Sequence, residues 1–541
     1  MLKFLKGESK TLISAAAIVG VFSFASRVMG LVRDRILAGT FGAGYTLDVY
    51  YAAFKIPDFL FNLIVVGALS ASFIPIFTKL YANGTEKNQA WKFTNNTLHL
   101  IGAALLLVVC FVVLFANPLS TLIAPGFSSE KQAAVAQFMR ILIFAQFFLS
   151  VSLIYGSVLQ SLRRFFLYSL APIFYNLGII IGAVLFTKWF GTIGLALGVV
   201  FGALLHVVSQ WWGLRETGYT YRFLFDWKDP HARKMIKLTG PRMIGIGMNQ
   251  ILFFLLTVIA TMLGTGSVTI FQFAYNIEFF PVGIFGVSYA IAAFPAFSEY
   301  LSNLRLKDFQ DMFVSTVKQI VFFLVPMTVV FLLLRAQLVR LVVGAGAFDW
   351  YATVKTADTL AIFALVFIPQ SLVYVLARAF FALHDTATPL VAGFTAAILG
   401  LVSGFYFSSA FGVIGLAIAF AIAECTNAVL LWVLLRQKVG SLGEMDILKS
   451  FSKMVGAGIV AAAVIQFSKI GFSFLFDLSS FIKVFVQTAL SAGFGLLAYV
   501  SMLHVLRSEE LASVISSLTR KQLKAIKPIE TIGSNDGQQS A

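Results

Sequence analysis

Apolar residues fill this chain in long unbroken blocks separated by short polar intervals. The stretch "IGAALLLVVCFVVLFA" at 101–116 is one such block. The blocks are continuous where a half-buried strand would alternate, and they outlast the few residues of a core strand. Inside a bilayer every backbone N–H and C=O must pair within the chain, so only helices or a closed barrel can span it. Barrel strands alternate apolar and polar side chains, and these blocks do not. At about 20 residues per crossing, the pattern predicts an all-α polytopic membrane protein of about fourteen helices. They fall near 12–38, 46–82, 90–117, 131–161, 165–187, 191–214, 235–264, 266–301, 310–340, 352–383, 388–409, 412–436, 450–470 and 480–507. The tail after Ser508, ending "IGSNDGQQSA", is expected to be polar and loosely ordered.

Composition agrees: 59% of the 541 residues are hydrophobic, 12% are charged, and the mean hydropathy is +0.89. The net charge of +16 does not point to nucleic acid, because the basic residues gather in the short intervals rather than in a soluble domain. Lys79, Lys87 and Lys92, then Arg163 and Arg164, then Arg215 to Lys237, Arg305 and Lys307, and Arg436 to Lys449 mark alternate loops. The positive-inside rule then places both termini in the cytoplasm, with membrane lipids as partners of the basic loops. Cys110 and Cys425 lie inside apolar blocks, and the five histidines have no ligand spacing, so neither a disulfide framework nor a metal or cofactor site is expected. The first block follows a basic "MLKFLKGESK" with no small-residue cleavage pattern and reads as retained helix.

An internal repeat organises the chain. "GTIGLAL" at 191–197 returns as "GVIGLAI" at 412–418, "FIPIF" at 73–77 as "FPAF" at 294–297, and "SLIYGSVLQSLRRFFLYSLAP" at 152–172 echoes "SLVYVLARAFFALHDTATP" at 371–389. All three echoes are about 220 residues apart. Six helices per repeat return the chain to the same side, which predicts two parallel lobes with a substrate site between them. The expected divisions are 1–217, 218–440, a pair of C-terminal helices in 441–508 and a tail from 509 to 541.

Charges inside the apolar blocks are the candidate chemistry. Arg27, Arg33, Asp34 and Arg35 lie in the first predicted helix, Asp48 and Lys55 in the second. Each unpaired charge at mid-bilayer costs about 2.5–3.5 kcal/mol on the insertion scale. Arg33, Asp34 and Arg35 could simply snorkel at the outer interface, yet they reverse the positive-inside bias. Arg140 and Arg242 are further cations that could line the same space. Glu278 and Glu424 fall near mid-bilayer, where a carboxylate is either structural or binds a coupling ion. Asn249 and Gln250 read as interhelical glue. Arginine's planar fork suits phosphate, so the pattern points to an anionic, phosphate-bearing substrate that enters the membrane plane.

The stretch "SRVMGLVRDRILAGTFGAGYTLDVYYAAFKIPDF", followed by "GALSASFIPIF", resembles the opening of the MurJ (MviN) lipid II flippases of the multidrug/oligosaccharidyl-lipid/polysaccharide exporter superfamily. "FPVGIFGVSYAIAAFPAFS" at 280–298 and "TATPL" at 386–390 are similar to later motifs of that family. The resemblance spans the chain. It implies a non-enzymatic flippase of the bacterial cytoplasmic membrane that moves lipid II, or a related undecaprenyl-diphosphate-linked precursor, by alternating access. It also implies a groove for the lipid tail in the last two helices, and a monomer is expected. The substrate residues carried over are Arg27, Arg33, Asp48 and Lys55, with Asp34, Arg140 and Arg242 as additional candidates. Phe61, Asn62 and Val66 depart from the family pattern, and Asn276 stands where an arginine is usual. The alternatives are a flippase for another polyprenyl-linked glycan, a drug or cation antiporter, and a membrane-embedded enzyme acting on polyprenyl phosphates. The antiporter should favour acids over the arginines present, and the enzyme should carry a carboxylate cluster or nucleophile–base pair. His384-Asp385 is the nearest approach to such a pair and reads as a helix end.

Overall fold

The computed structural model describes residues 12–66, 72–82, 87–475 and 480–518, with side chains for all of these but 12–18, 64, 66, 238–249, 475 and 517–518. The described residues form helices joined by turns and loops, with no strand among them. Among the described residues ten helices are long and apolar enough to cross a membrane, or eleven if Trp350–Ala364 and Phe367–Ala382, bent by 47°, form one crossing. Three further predicted crossings, Leu12–Phe41, Tyr45–Phe61 with its continuation and Pro230–Thr261, each include positions whose side chains lie outside the described residues.

Two predicted blocks are broken where the sequence showed one run, and a third changes its helix type. The second helix passes beyond Phe61 into a π-helical turn, Asn62–Val66, and Ile74–Ala82 is again α-helical on the far side of residues 67–71, which lie outside the described residues. The block near 90–117 is Lys87–Leu114 followed by the short helix Ala116–Ile123. The block near 310–340 is Leu306–Leu333 followed by Arg335–Val342. Beyond Ser508 a short amphipathic helix, Glu509–Leu518, precedes a remainder that lies outside the described residues.

The repeat is written into the backbone as well. The π-helical turn at Asn62–Val66 has a counterpart at Val282–Val287. Arg163 and His384 both end a helix with positive φ, 58° and 59°. Gly191 and Gly412 both turn the chain at φ 59°. Three residues on, Gly194 and Gly415 each pack against the backbone of the preceding helix, where an added Cβ would lie 2.3 Å from Phe186 C or 2.1 Å from Phe407 O. These pairs keep the offset of the sequence echoes.

Candidate functional site

A cavity of about 470 Å³ lies where helices of the two sequence repeats face each other. Its wall includes Arg33 of the first helix, Tyr50, Tyr51, Lys55, Asp58 and Asn62 of the second, Gln146, Tyr175, and then Gln250, Phe253, Gln272, Tyr275 and Asn276 from the second repeat. Pro57, buried within the second helix, precedes the π-helical turn at Asn62. The helix therefore passes into its π-helical turn just beyond Lys55 and Asp58.

A continuous polar chain crosses this space. Arg33 donates from Nε and Nη2 to Asp34 Oδ1 at 2.9 and 2.8 Å, and from Nη1 to Asn176 Oδ1 at 3.0 Å. Asn276 Nδ2 donates to the other Asp34 oxygen at 3.0 Å, and Gln272 Nε2 donates to Asn276 Oδ1 at 2.9 Å. Lys55 Nζ closes the chain by donating to Gln272 Oε1 at 2.9 Å, and it sits 4.3 Å from the centre of the Phe253 ring. Asp34 is 2% exposed, so its charge needs these partners. Asp34 thereby holds the Arg33 fork in one orientation. An ammonium carries three donors and a guanidinium five, so both cations keep capacity for a further acceptor.

The other expected site residues go elsewhere. Arg27 is absent from the cavity wall; its guanidinium lies against Gly283, where an added Cβ would be 2.9–3.0 Å from its two Nη atoms. Asp48 also stays out of the cavity. It is 1% exposed and accepts from Lys131 Nζ at 2.9 Å, Gly266 N at 2.7 Å, and Thr269 N and Oγ1 at 3.0 and 2.8 Å. Asp48 thus ties the second helix to the start of Ser267–Pro281, where four N–H groups lack intrahelical partners. Arg140 meets the C-terminal end of Lys87–Leu114, donating to Val113 O and to Asn117 Oδ1 at 3.3 and 3.2 Å, a capping role. Arg35 donates to Leu341 O at 2.7 Å and Arg340 O at 3.2 Å. The side chains of Arg242, Val66 and Asn249 lie outside the described residues.

Sequence reading missed four groups in or beside this wall. Asp58, three residues after Lys55, accepts from Gln146 Nε2 at 2.5 Å. Asn276, read as a departure, joins the polar chain. Asn176 anchors Arg33. Tyr51 Oη is buried with no hydrogen-bond partner among the described residues. The one available signal was helical spacing: Lys55 and Asp58 are neighbours on one face.

A second cavity, about 480 Å³, lies next door and shares Phe253 and Tyr275 with the first. Gln370, Tyr374, Arg378, Glu424 and Asn427 line it. Glu278 is fully buried nearby, and neither carboxylate oxygen has a hydrogen-bond partner among the described residues.

The end of the molecule near Asp48 is sealed between the repeats. Ala347 N donates to Gly39 O at 2.9 Å. Gly346 and Gly266 adopt φ of 54° and 90° there, and a Cβ on either would lie 2.3 or 2.6 Å from a carbonyl oxygen of the facing segment, so both positions require glycine.

A buried polar site between two repeats of membrane-crossing helices defines a multipass transporter, and solved structures agree on the fold. One described as a lipid II flippase MurJ in an inward closed conformation is 23% identical with a TM-score of 0.73, covering 91% of this chain and 98% of its own. An inward-facing multidrug resistance MATE family transporter of the MOP superfamily is 13% identical with a TM-score of 0.65, covering 77% and 96%. The family model "Lipid II flippase MurJ" matches residues 37–515. Probable lipid II flippases MurJ of Thermotoga maritima and of Buchnera aphidicola subsp. Baizongia pistaciae are 28% and 26% identical, covering 91% and 85% of this chain and 96% and 90% of theirs. The chain belongs to the MurJ family of lipid II flippases, within the MOP superfamily. It is a multipass transporter of the bacterial inner membrane rather than an enzyme.

Proposed function

We propose that this chain moves lipid II from the cytoplasmic to the outer leaflet and holds its diphosphate in the cavity between Arg33 and Lys55. One observation carries the reading: the polar chain from Asn176 through Arg33, Asp34, Asn276 and Gln272 to Lys55 joins the two repeats across a membrane-embedded cavity. A diphosphate leaving water needs paired cations to offset its desolvation, and Arg33 offers a fork while Lys55 offers a point charge. A diphosphate that takes the Lys55 ammonium from Gln272 breaks one link between the repeats, so binding and lobe movement are tied.

In this reading fourteen crossings, both termini cytoplasmic, form two parallel six-helix lobes, 1–217 and 218–440. The helices of 441–508 form a lipid-tail groove, and 509–541 is a cytoplasmic tail. The sealed end faces outward, and the protein acts as a monomer. Glu278 and Glu424 hold a coupling ion beside the second cavity, where the shared Phe253–Tyr275 wall, with ring centres 4.1 Å apart, separates them from substrate.

Leaflet-resolved labelling of lipid II in cells depleted of the resident flippase tests the reading. The wild-type chain is expected to restore outer-leaflet lipid II, and Arg33→Gln and Lys55→Gln to fail while accumulating normally in the membrane. Full restoration by both variants overturns the cavity assignment. Glu424→Gln in proteoliposomes is expected to lose its response to imposed ion gradients; an unchanged response removes the coupling role.

A further inference from the structure

A third cavity, about 270 Å³, lies away from the central site, and no step proposed above uses it. It is lined by Arg335 and Gln337 of the short helix Arg335–Val342, by Trp350, Thr353 and Asp358 of the next helix, and by Lys469 of Glu444–Leu475. Its charges are two cations and one acid. Arg335 Nη1 donates to Leu332 O at 3.0 Å, and Lys469 Nζ donates to Leu333 O at 3.1 Å. Both cations therefore sit on the free carbonyls that end Leu306–Leu333. Arg335 Nε is 3.7 Å from Asp358 Oδ1, an ion pair without a short hydrogen bond. Two ammonium donors of Lys469 and most of the Arg335 fork stay available after these contacts.

The surroundings are those of a lipid interface. Trp350 and Tyr351 are 72% and 65% exposed, as aromatic side chains at the edge of a bilayer are. On the Lys469 helix and its neighbour, Phe467, Phe474 and Ile482 are exposed by 76%, 86% and 71%, a surface suited to hydrocarbon chains. The same short helix that opens with Arg335 ends beside the seam: Arg340 O and Leu341 O accept from Arg35, and Ala347 just beyond it donates to Gly39.

We propose that this cavity binds the phosphate of a membrane lipid, next to the seam that closes the central cleft. Two cations against one acid favour an anion, and the exposed apolar helices select one that carries hydrocarbon. The phosphate belongs either to a resident anionic phospholipid or to a polyprenyl diphosphate. On the orientation proposed above, the site faces the outer leaflet and serves lipids there; the binding itself does not depend on that orientation.

Native mass spectrometry of the full-length protein with phosphatidylglycerol, undecaprenyl diphosphate, uncharged undecaprenol and inorganic diphosphate tests this. The double variant Arg335→Gln/Lys469→Gln is expected to lose about tenfold or more in affinity for one of the two phosphate lipids, the loss of at least one charge-assisted hydrogen bond. Which lipid is lost identifies the source. Lys55→Gln weakens diphosphate binding at the central cavity only, so the loss caused by the double variant is expected to be the same size with and without it: a double variant that causes no further loss in the Lys55→Gln background assigns the lipid to the centre and overturns the proposal. Equal affinities in wild type and double variant for both lipids also overturn it. Should the double variant fail to fold, photo-crosslinking of the wild-type protein with head-group-labelled forms of both lipids decides the matter. Labelling within 333–337, 350–358 or at Lys469 supports the site, and labelling elsewhere only overturns it.

Discussion

Charge inside a membrane protein has to be answered residue by residue, and here similar residues receive different answers. Asp34 and Asp48 are both buried in the opening hairpin, yet Asp34 orients a cation at the cavity and Asp48 pins the sealed end. Removing one partner of a buried pair leaves a bare charge, at a cost of about 3–5 kcal/mol. Lys131→Met is therefore expected to lower the thermal stability of the purified protein by an amount in that range, and the double variant with Asp48→Asn to recover part of it; a melting curve in detergent reads both. Asp58 works the other way. Its carboxylate shares a wall with Arg33 and Lys55, where a like charge opposes a bound diphosphate. Asp58→Asn is expected to tighten diphosphate binding by about tenfold, measurable by calorimetry with undecaprenyl diphosphate.

At the scale of elements, small residues set the distance between helices. Phe165–Ile181, with the π-helical turn Gly182–Phe186 that continues it, and Ile193–Arg215 approach so closely that a Cβ on Gly178 would lie 2.2 Å from Gly202 Cα, and one on Gly198 2.3 Å from Gly182 Cα. Such contact lets backbones pack in lipid, where no hydrophobic effect drives helices together. Gly198→Val puts three carbons into that gap and is expected to destabilise the protein by about 1–3 kcal/mol or more, seen as a lower melting temperature and membrane yield. Two π-helical turns, Asn62–Val66 and Val282–Val287, belong to this scale too: each follows a buried proline, Pro57 or Pro281, in a helix that flanks the central cavity.

Across the whole molecule, the repeats must separate at the sealed end if the cleft is to open there. An added Cβ on Gly39 would lie 3.5 Å from Ala345 Cβ, within the range a disulfide spans. In a background with Cys110 and Cys425 replaced by serine, Gly39→Cys/Ala345→Cys is expected to form a disulfide under oxidation. Outer-leaflet delivery of lipid II should then stop and return on reduction. Unimpaired delivery with the disulfide formed would show that this seam does not open.

What the chain determined alone follows from local physics. Continuous apolar runs dictate helices because a bilayer leaves the backbone no other partner. The repeat was readable because the same turns need the same residues, as at Gly191 and Gly412. Arg33 and Lys55 stood out because charge in an apolar run is rare at any position. Which charges meet was another matter. Helical spacing places Asp48 and Lys55 on one face, but cannot say that Lys131, more than eighty residues on, claims Asp48, or that Gln272 of the other repeat claims Lys55. Asn276 looked like a loss because only the assembled cleft brings Asp34 within its reach. Partners distant in sequence are chosen by packing, and packing was decided by the tertiary structure.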